Sequence, residues 1–394
     1  MKLLKGDAKA FPAILLIVVL ALFSSNPSIA GDSTADSSET DPAENFLQES
    51  ISDADQNPQG ISDKRLEETA GEAPADEAVE SDQAVASASL QSASGSGDAA
   101  GDTPAVSTPT VNTYQFTGAA TGKIPILVSP GRNGIQPNLA LTYNSYLKNG
   151  WLGVGWSLDM GCIQRSTKRG VNYAANTYVV SAGGSIAELV RRSQWGANFY
   201  GARIESAFTQ YYFNPATDGW EATAKNGNTY YYGTTAASRQ HDPYNPNRIF
   251  KWCLDRVEDT NGNYMTVSYI KHAGQIYPQQ IDYTGNSKTG AAPRNYVRFY
   301  LDTQRRADAY PVLTSNFEVT TARKLKSIEV IGNGQLARAY KLTYTESDST
   351  LRTLLTRVQQ YGSDASIDGA GNVSGAHVLP AIKFDWVTDA HNTF

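Results

Sequence analysis

Residues 116–165 read FTGAATGKIPILVSPGRNGIQPNLALTYNSYLKNGWLGVGWSLDMGCIQR, and this stretch sets the expected fold. Its short apolar runs are separated by Gly, Pro and Asn-Gly pairs, which end strands and form tight turns. In residues 139–145, Leu139, Leu141 and Tyr143 share one face, the period-2 pattern of a half-buried strand. The two tryptophans of the stretch supply large surfaces for burial. It therefore predicts short antiparallel strands joined by hairpins.

Strand-type segments continue through the rest of the C-terminal part of the chain. They are residues 123–128, 138–145, 177–180, 229–232, 264–270, 296–301, 325–330, 339–344 and 382–386. Asn-Gly pairs, which adopt the positive φ angles of tight hairpin turns, lie at 133–134, 149–150, 226–227, 261–262 and 333–334. No long helical periodicity interrupts them. We therefore expect an all-β fold, an antiparallel β-sandwich or shell-like module with short hairpins, preceded by a disordered N-terminal segment.

The composition separates this part from the chain before it. All 22 tyrosines lie at or beyond Tyr114, whereas residues 31–110 hold 18 acids, two basic residues and one aromatic, Phe46. Such a composition buries too little apolar surface to fold, so residues 31–112 are predicted to be a disordered, acidic, Ala/Ser-rich linker. A tail that binds a basic partner is the alternative. The predicted β domain spans 113–388, and its scattered basic residues do not indicate a nucleic-acid partner.

The N-terminus has the pattern of a secretory signal peptide. Three lysines lie among the first nine residues, and residues 11–23 form an apolar run too short to span a bilayer comfortably. Small residues follow at Ser28 and Ala30, as signal peptidase requires. We expect residues 1–30 to be removed by cleavage after Ala30, with an uncleaved anchor as the alternative. The mature protein would be exported to the periplasm, cell surface or medium, without a membrane span.

The sequence holds two cysteines, Cys162 and Cys253. An exported chain meets an oxidising compartment, so one disulfide is a candidate, with two buried thiols as the alternative. Neither cysteine has a second Cys or a His at metal-ligand spacing, which argues against a zinc site.

Candidate catalytic and ligand-binding motifs have simpler structural readings. The Gly153-Val154-Gly155 segment lacks the third glycine of a phosphate loop, so a tight turn is expected. Residues 259–263 (DTNGN) lack the later glutamate of a calcium loop, so a type I′ hairpin is expected. The histidines share no spacing, and no G-x-S-x-G elbow occurs. We therefore predict no catalytic residues, no metal and no cofactor, with an enzyme of unrecognised site as the last alternative.

Beyond these patterns, residues 116–165 resemble the N-terminal domain of the Salmonella virulence plasmid B (SpvB) family. That domain also opens the B components of insecticidal toxin complexes and many Rhs/YD-repeat proteins. The matching motif residues include Pro130, Gly131, Arg132, Pro137, Tyr143, Asn144, Ser145, Gly153, Gly155, Trp156 and Arg165. Residues 255–269 look like a YD-type hairpin, and residues 354–358 and 379–386 resemble the end of the domain.

The resemblance implies a non-catalytic structural or docking module of a virulence-associated, secreted toxin-complex or Rhs-like shell protein. Its partners would be other toxin or shell subunits, or downstream domains of the same polypeptide. Residues 389–394 would then begin a missing or truncated C-terminal region. The family's transferase domain carries Glu-x-Glu, a pattern that does not occur in this sequence. The alternative function is a stand-alone adhesin, or a glycan- or protein-binding β module.

Overall fold

A computed structural model of the chain describes residues 110–114 and 118–386, and this part is nearly all β. In chain order its strands are β1 Thr110–Tyr114, β2 Ala119–Ile126, β3 Leu139–Asn144, β4 Asn149–Gly150, β5 Gly153–Val154, β6 Trp156–Ser157, β7 Cys162–Arg165, β8 Tyr178–Ala182, β9 Ser185–Arg191, β10 Phe199–Ala202, β11 Gln210–Asn214, β12 Gly219–Thr223 and β13 Thr229–Tyr232. They continue with β14 Arg239–Asp242, β15 Asn245–Glu258, β16 Asn263–His272, β17 Gln275–Asn286, β18 Asn295–Leu301, β19 Pro311–Val312, β20 Val319–Thr320, β21 Leu325–Gly332, β22 Gln335–Glu346, β23 Thr353–Tyr361, β24 Ser366–Ile367, β25 Val373–Ser374 and β26 Ile382–Lys383. A 3₁₀ helix spans Ser193–Trp195, and all pairings between these strands are antiparallel. The predicted all-β antiparallel class is confirmed.

The strands β7 to β13 and β15 form a closed ring. Each strand from β7 to β12 pairs with the next, and both β13 and β7 pair with β15. Alternation along the strands sends one set of side chains to the inside; in β8, for example, Tyr178, Val180 and Ala182 are buried. Trp220 and Trp252 from β12 and β15 fill the centre. A closed ring leaves none of these strands as a free edge of the sheet.

The long strand β15 belongs to two structures at once. Its residues 251–253 pair with β7 on one edge, and residues 256–258 pair with β16 farther along that same edge. The opposite edge takes β14 and then β13. This branching strand therefore joins the ring to a second, open sheet.

The open sheet runs in the order β15, β16, β17, β18, β21, β22, β23 and β26. Its hairpins follow one another along the chain, so most neighbours in the sheet are neighbours in sequence. The last strand, β26, pairs only with Arg357 and Val358 of β23. Val297, Ile328 and Val330 on the inner side are fully buried.

The strands around the start of the 116–165 stretch cover the open sheet. Strands β1, β2, β3 and β6 form a small separate sheet. The hydroxyl of Tyr340 in β22 accepts a hydrogen bond from the Leu127 amide, and the Tyr283 hydroxyl in β17 donates to the Ser129 carbonyl. The Leu325 amide at the start of β21 donates to the carbonyl of Trp151. Residues from both sheets and the ring form one continuous hydrophobic core.

The Asn-Gly pairs adopt three conformations rather than one. Both residues have positive φ at 133–134 and at 333–334, as a type I′ turn requires. At 226–227 and 261–262 only the glycine does, and its amide donates to the carbonyl three residues earlier, the geometry of a type I turn followed by a left-handed glycine. The pair at 149–150 lies in β4. The hairpin at 259–263 was expected correctly, but its type I′ assignment is wrong.

Several predictions fall on residues that the structure does not describe. The signal peptide at 1–30, most of the linker at 31–112 and the residues 389–394 lie outside the described part. Among the described residues, no helix has the length and apolar character that crossing a bilayer requires.

Candidate functional site

Four aromatic side chains from opposite ends of the folded part meet in one place, here called the motif cluster: Tyr143, Trp156, Phe384 and Trp386. The ring centroids of Tyr143 and Trp156 are 5.3 Å apart, and those of Trp156 and Phe384 are 4.8 Å apart. Trp386 packs edge-on against Tyr143 at 6.0 Å and donates a hydrogen bond to the Leu355 carbonyl. The segment 379–386, which resembles the end of the domain, is thus anchored on the segment that begins it.

Two motif glycines permit this packing. Gly153 has φ +90°, and a Cβ placed there would lie 2.6 Å from the Thr353 carbonyl oxygen in β23. Gly155 has φ +77°, and a Cβ would collide with the ring of Tyr143. Because only glycine adopts these angles without strain and leaves the space free, both residues serve close approach rather than phosphate binding.

A buried ion pair lies behind the same loop. The Arg306 and Asp308 side chains are 1% and 2% exposed, with Nε and Oδ1 2.9 Å apart. Arg306 also donates to the carbonyl of Gly150 and to Oδ1 of Asn149. Asp308 accepts hydrogen bonds from the side-chain amide of Asn149 and from the backbone amide and hydroxyl of Thr353. The pair therefore connects the loop at 149–153 to β23.

The Asp308 carboxylate is charged because of these partners. Burial alone would raise its pKa, but hydrogen bonds from Arg306, Thr353 and Asn149 hold the pKa well below its usual range. A buried carboxylate without them would be costly. All its partners belong to the fold, so we assign this pair a structural role.

The turn at Pro130-Gly131-Arg132 fastens the small sheet to distant strands. A Cβ on Gly131 would collide with the carbonyl of Ile135, and the Gly131 amide donates to the side chain of Gln136. Arg132 donates to the Thr284 carbonyl at the end of β17. Three consecutive motif residues thus shape one turn and tie it to the open sheet.

Asp259 binds Asn133, the next residue of that turn. Its carboxylate accepts hydrogen bonds from the Asn133 side chain, the Asn261 amide, and the amide and side chain of Asn263. Burial would raise the pKa of Asp259, but these hydrogen bonds lower it. Residues 368–372 (DGAGN) repeat the pattern, since Asp368 accepts from the amide and side chain of Asn372. Both carboxylates close hairpins, and the described residues contain no cluster of acidic, His or Cys side chains suited to a metal ion.

Three further motif residues shape β3 and its ends. Pro137 is buried just before β3, where its missing N–H leaves no strand hydrogen bond unmade. The Asn144 side chain accepts from the Tyr146 amide, and the Ser145 hydroxyl accepts from the Ala120 amide. These contacts end β3 and hold it against β2.

Arg165 lies apart from the motif cluster, at the ring. Its guanidinium group is 5.1 Å from the ring centroid of Tyr173, 5.5 Å from that of Tyr178 and 5.7 Å from that of Trp252. It also donates to the carbonyls of Ile249 and Ala175. With each of these contacts internal, Arg165 stabilises the ring rather than presenting its charge to a ligand.

The two cysteines face each other across the ring seam. Cys162 in β7 is the register partner of Cys253 in β15, and both are free thiols in the structure. Sequence spacing could not have predicted this pairing, because the residues are separated by the whole ring.

No hydrolytic triad assembles among the described residues. His377 and Asp364 form a pair with Nδ1 and Oδ2 2.7 Å apart, but His377 is 88% exposed. Within residues 110–114 and 118–386 no serine hydroxyl hydrogen-bonds to this histidine. The His241 Nδ1 contacts only the Asp242 carbonyl beside it in sequence.

Sequence reasoning missed the most connected polar side chains. Arg306 and Asp308 lie in an ordinary polar stretch that carries no motif. Asp255 was noted only as part of a hairpin motif, yet its Oδ2 accepts hydrogen bonds from Thr234, Thr235 and Ser238. These bonds hold the loop between β13 and β14. Their burial arises from tertiary packing, so no local signal could have identified them.

These features define a class of protein: an all-β module in which a closed ring and an open sheet share a strand, with its motif residues engaged in packing. Sequence comparison then shows which family the chain resembles. The model of the family described as Salmonella virulence plasmid 65kDa B protein (SpvB) matches residues 114–302. The resemblance to the SpvB family is confirmed.

Curated relatives include proteins named Mono(ADP-ribosyl)transferase SpvB from Salmonella choleraesuis (strain SC-B67), Salmonella enteritidis and Salmonella typhimurium. Each is 28% identical over 195 residues, which cover 43% of this chain and 32% of the relative. The chain thus spans about a third of the length of the curated relatives it matches.

Solved structures share the fold at low sequence identity. The N-terminal domain of effector protein SpvB from Salmonella typhimurium strain LT2 matches with a TM-score of 0.51 and 18% identity, covering 60% of this chain and 99% of that chain. The crystal structure of TcdB2-TccC3 matches with a TM-score of 0.59 and 19% identity, covering 73% and 17%. A Photorhabdus luminescens Tc holotoxin pore matches at 0.58 and 19%, covering 71% and 16%.

Proposed function

We propose that residues 113–388 form a non-catalytic structural and docking module of a secreted bacterial toxin-complex or Rhs-like shell protein. The observation that carries the proposal is the shared fold, which extends over 73% of this chain in the TcdB2-TccC3 structure. The same fold accounts for nearly the whole solved N-terminal domain of SpvB. Partners would be other toxin or shell subunits, or further parts of the same polypeptide.

The use of the motif residues supports a structural role. Gly153, Gly155 and Trp156 bring backbone and rings into contact, and the buried Arg306–Asp308 pair is satisfied by protein groups. A catalytic carboxylate or histidine needs access to a substrate, whereas these groups contact only their own fold. We therefore propose that the transferase activity in the relatives' name does not belong to this module.

Export is the second part of the proposal. The lysine-rich start, the apolar run at 11–23 and the small residues Ser28 and Ala30 support removal of a signal peptide by cleavage after Ala30. The acidic linker at 31–112 would then precede the β module in the mature protein.

The test follows the native product of the bacterium that encodes the chain. Antibodies raised against residues 118–386 would detect it in cell and medium fractions, on a denaturing gel and after native size-exclusion chromatography. We expect a chain several times heavier than 42.6 kDa, or a chain of that size that elutes within a larger assembly. A product of that size on the gel that also elutes as a monomer from the native column would overturn the shell role. A strain lacking the gene is the control.

A stand-alone binding module is the second candidate, because exposed tyrosines project from loops. Tyr244 is 97% exposed at the tip of the β14–β15 hairpin, and Tyr310 is 71% exposed. Exposed tyrosines stack readily on sugars and partner proteins. Binding on a glycan array that Tyr244→Ala or Tyr310→Ala abolishes would favour this candidate. Absence of binding, or binding unchanged in both variants, would count against it.

A further inference from the structure

Cys162 and Cys253 occupy a special position in the β7–β15 pair. They are direct register partners, and the Leu254 amide donates to the Gly161 carbonyl beside them. The amide and carbonyl of Cys253 instead bond to the opposite edge, to Ser238 and Gly233. The two cysteines therefore form a non-hydrogen-bonded pair, the antiparallel arrangement in which opposite side chains are closest.

This arrangement meets the geometric requirement for a disulfide. The Cα atoms of non-hydrogen-bonded partners lie about 4.5 Å apart, and disulfides join Cα atoms separated by roughly 4.4–6.8 Å. Both Cβ atoms leave the sheet on the same face, since directly paired residues share a face. A bond between the sulfurs thus requires no strand to move.

One of the two thiols is buried and the other is partly buried once the protein has folded. Cys253 is buried, and burial raises the pKa values of both thiols; the nearby Lys251 ammonium offsets this only in part. A protonated, covered thiol exchanges slowly with disulfides in solution. Oxidation would therefore occur while the strands are still assembling.

We infer that Cys162 and Cys253 form a disulfide when the chain folds in an oxidising compartment, and that this bond covalently closes the ring. One thiolate attacks a small-molecule or protein disulfide and releases one thiol. The second cysteine then attacks the resulting mixed disulfide and releases the other thiol. Overall, two protein thiols lose two protons and two electrons, and the oxidant disulfide takes them up to become two thiols.

The bond would stabilise the pairing of β7 with β15, two strands that lie far apart in the sequence. Residues 162 and 253 enclose strands β7 to β14, so the cross-link closes a long loop and restricts the unfolded chain. It would also fasten β7 to the branching strand β15, next to the point where the open sheet begins.

The first experiment maps the thiols of the protein spanning residues 31–394. It is refolded in a buffer of reduced and oxidised glutathione, alkylated under denaturing conditions without reductant, and digested. We expect a peptide pair linked through Cys162 and Cys253, on a chain that remains monomeric on a non-reducing gel. Full alkylation of both cysteines would overturn the inference. Because this experiment needs no export, it is independent of the proposed function.

The second experiment measures thermal unfolding of the oxidised protein and of protein refolded with reductant. A cross-link closing so long a loop should raise the Tm by roughly 5 °C or more. Cys162→Ser, whose side chain is only partly buried, should show no dependence on redox state. Equal Tm values for oxidised and reduced wild type would contradict the inference even if the variant failed to fold.

Discussion

The closed ring and the open sheet bury their apolar side chains in different ways. The ring fills its own interior with interlocking aromatic side chains: Trp220 contacts Tyr178, Tyr200, Phe213 and Trp252, with centroids 4.8–6.1 Å apart. Its strands cover one another's edges. The open sheet has an apolar inner face and ends at β26, so other chain segments must cover it.

The segment that covers the open sheet is the one that carries the motif residues. Trp151, Gly153 and Trp156 contact β21, β23 and the segment after β26, respectively. Only the end of the quoted stretch, at Cys162–Arg165, enters the ring. The motif thus marks the junction of the two regions, where its glycines allow close approach and Trp156 packs on the segment after β26.

Removing the centre of the ring should have the largest effect. Trp220→Ala deletes a fully buried indole, and such truncations cost about 3–5 kcal/mol. Urea unfolding followed by circular dichroism would measure the loss, and hydrogen exchange would locate it. We expect protection to fall most in β8 to β12 and least in β21 to β23.

The matched control is Trp195→Ala, in the 3₁₀ helix. That side chain is 38% exposed, so the free energy of unfolding should change by less than about 1 kcal/mol. A uniform loss of protection across both regions after Trp220→Ala would show that the ring has no stability of its own.

Breaking the polar support of the open sheet should come second. Arg306→Met leaves the buried Asp308 carboxylate without its cation, and such a change costs about 3 kcal/mol or more. The double variant Arg306→Met/Asp308→Leu removes both charges and should recover part of this loss. Chemical denaturation of the two variants measures the difference. A double variant no more stable than the single one would mean that the hydrogen bonds of Asp308 matter more than its charge.

Local sequence pattern predicted the strands of the open sheet better than those of the ring. Alternation identified β16 and β18 because one face of each is buried. The sequence also predicts β21 and β22, although β21 is buried along nearly its whole length. It missed β15, whose middle residues are buried on both faces because this strand joins two structures. The ring strands β10 to β12 have only four or five residues, and β10 and β11 are rich in aromatics, so they show little alternation. Closure depends on pairing of distant residues, which no local pattern contains.

In the candidate site, too, local features could be predicted from the sequence and contacts between distant residues could not. Backbone requirements are local, and the sequence therefore predicts a tight turn at Gly153-Val154-Gly155. Their partners are not local: Thr353 lies 200 positions beyond Gly153 in the sequence. Resemblance to a family pointed to the segment 379–386 but not to its contact with Trp156. The Arg306–Asp308 pair gave no signal at all, since its burial exists only in the assembled fold.

The junction itself can be tested at a single glycine. In Gly153→Ala the new methyl group meets the Thr353 backbone and the positive φ adds strain, so we expect a loss of about 2 kcal/mol or more. Gly170→Ala is the control, because Gly170 has φ +80° with nothing within 4 Å of a Cβ. That variant should lose only about 1 kcal/mol. Equal losses of stability for the two variants in thermal unfolding would show that β23 moves to make room for the new methyl group, so the junction is not rigidly packed.

The smallest effect should appear as a dependence of the open sheet on pH. The pKa of Asp308 is lower in the folded protein than the value of about 3.9 in an unfolded chain. Its contribution to stability is therefore fully present above about pH 5 and is lost as the pH falls through 4 and below. Asp308→Asn cannot titrate, so its Tm should fall less steeply between pH 5 and pH 3, by roughly 2–4 °C relative to wild type. The exposed Asp348→Asn variant should follow wild type. If the Tm of Asp308→Asn fell with pH as steeply as that of wild type, other carboxylates would determine acid unfolding. The buried pair would then position the loop against the open sheet without adding pH-dependent stability.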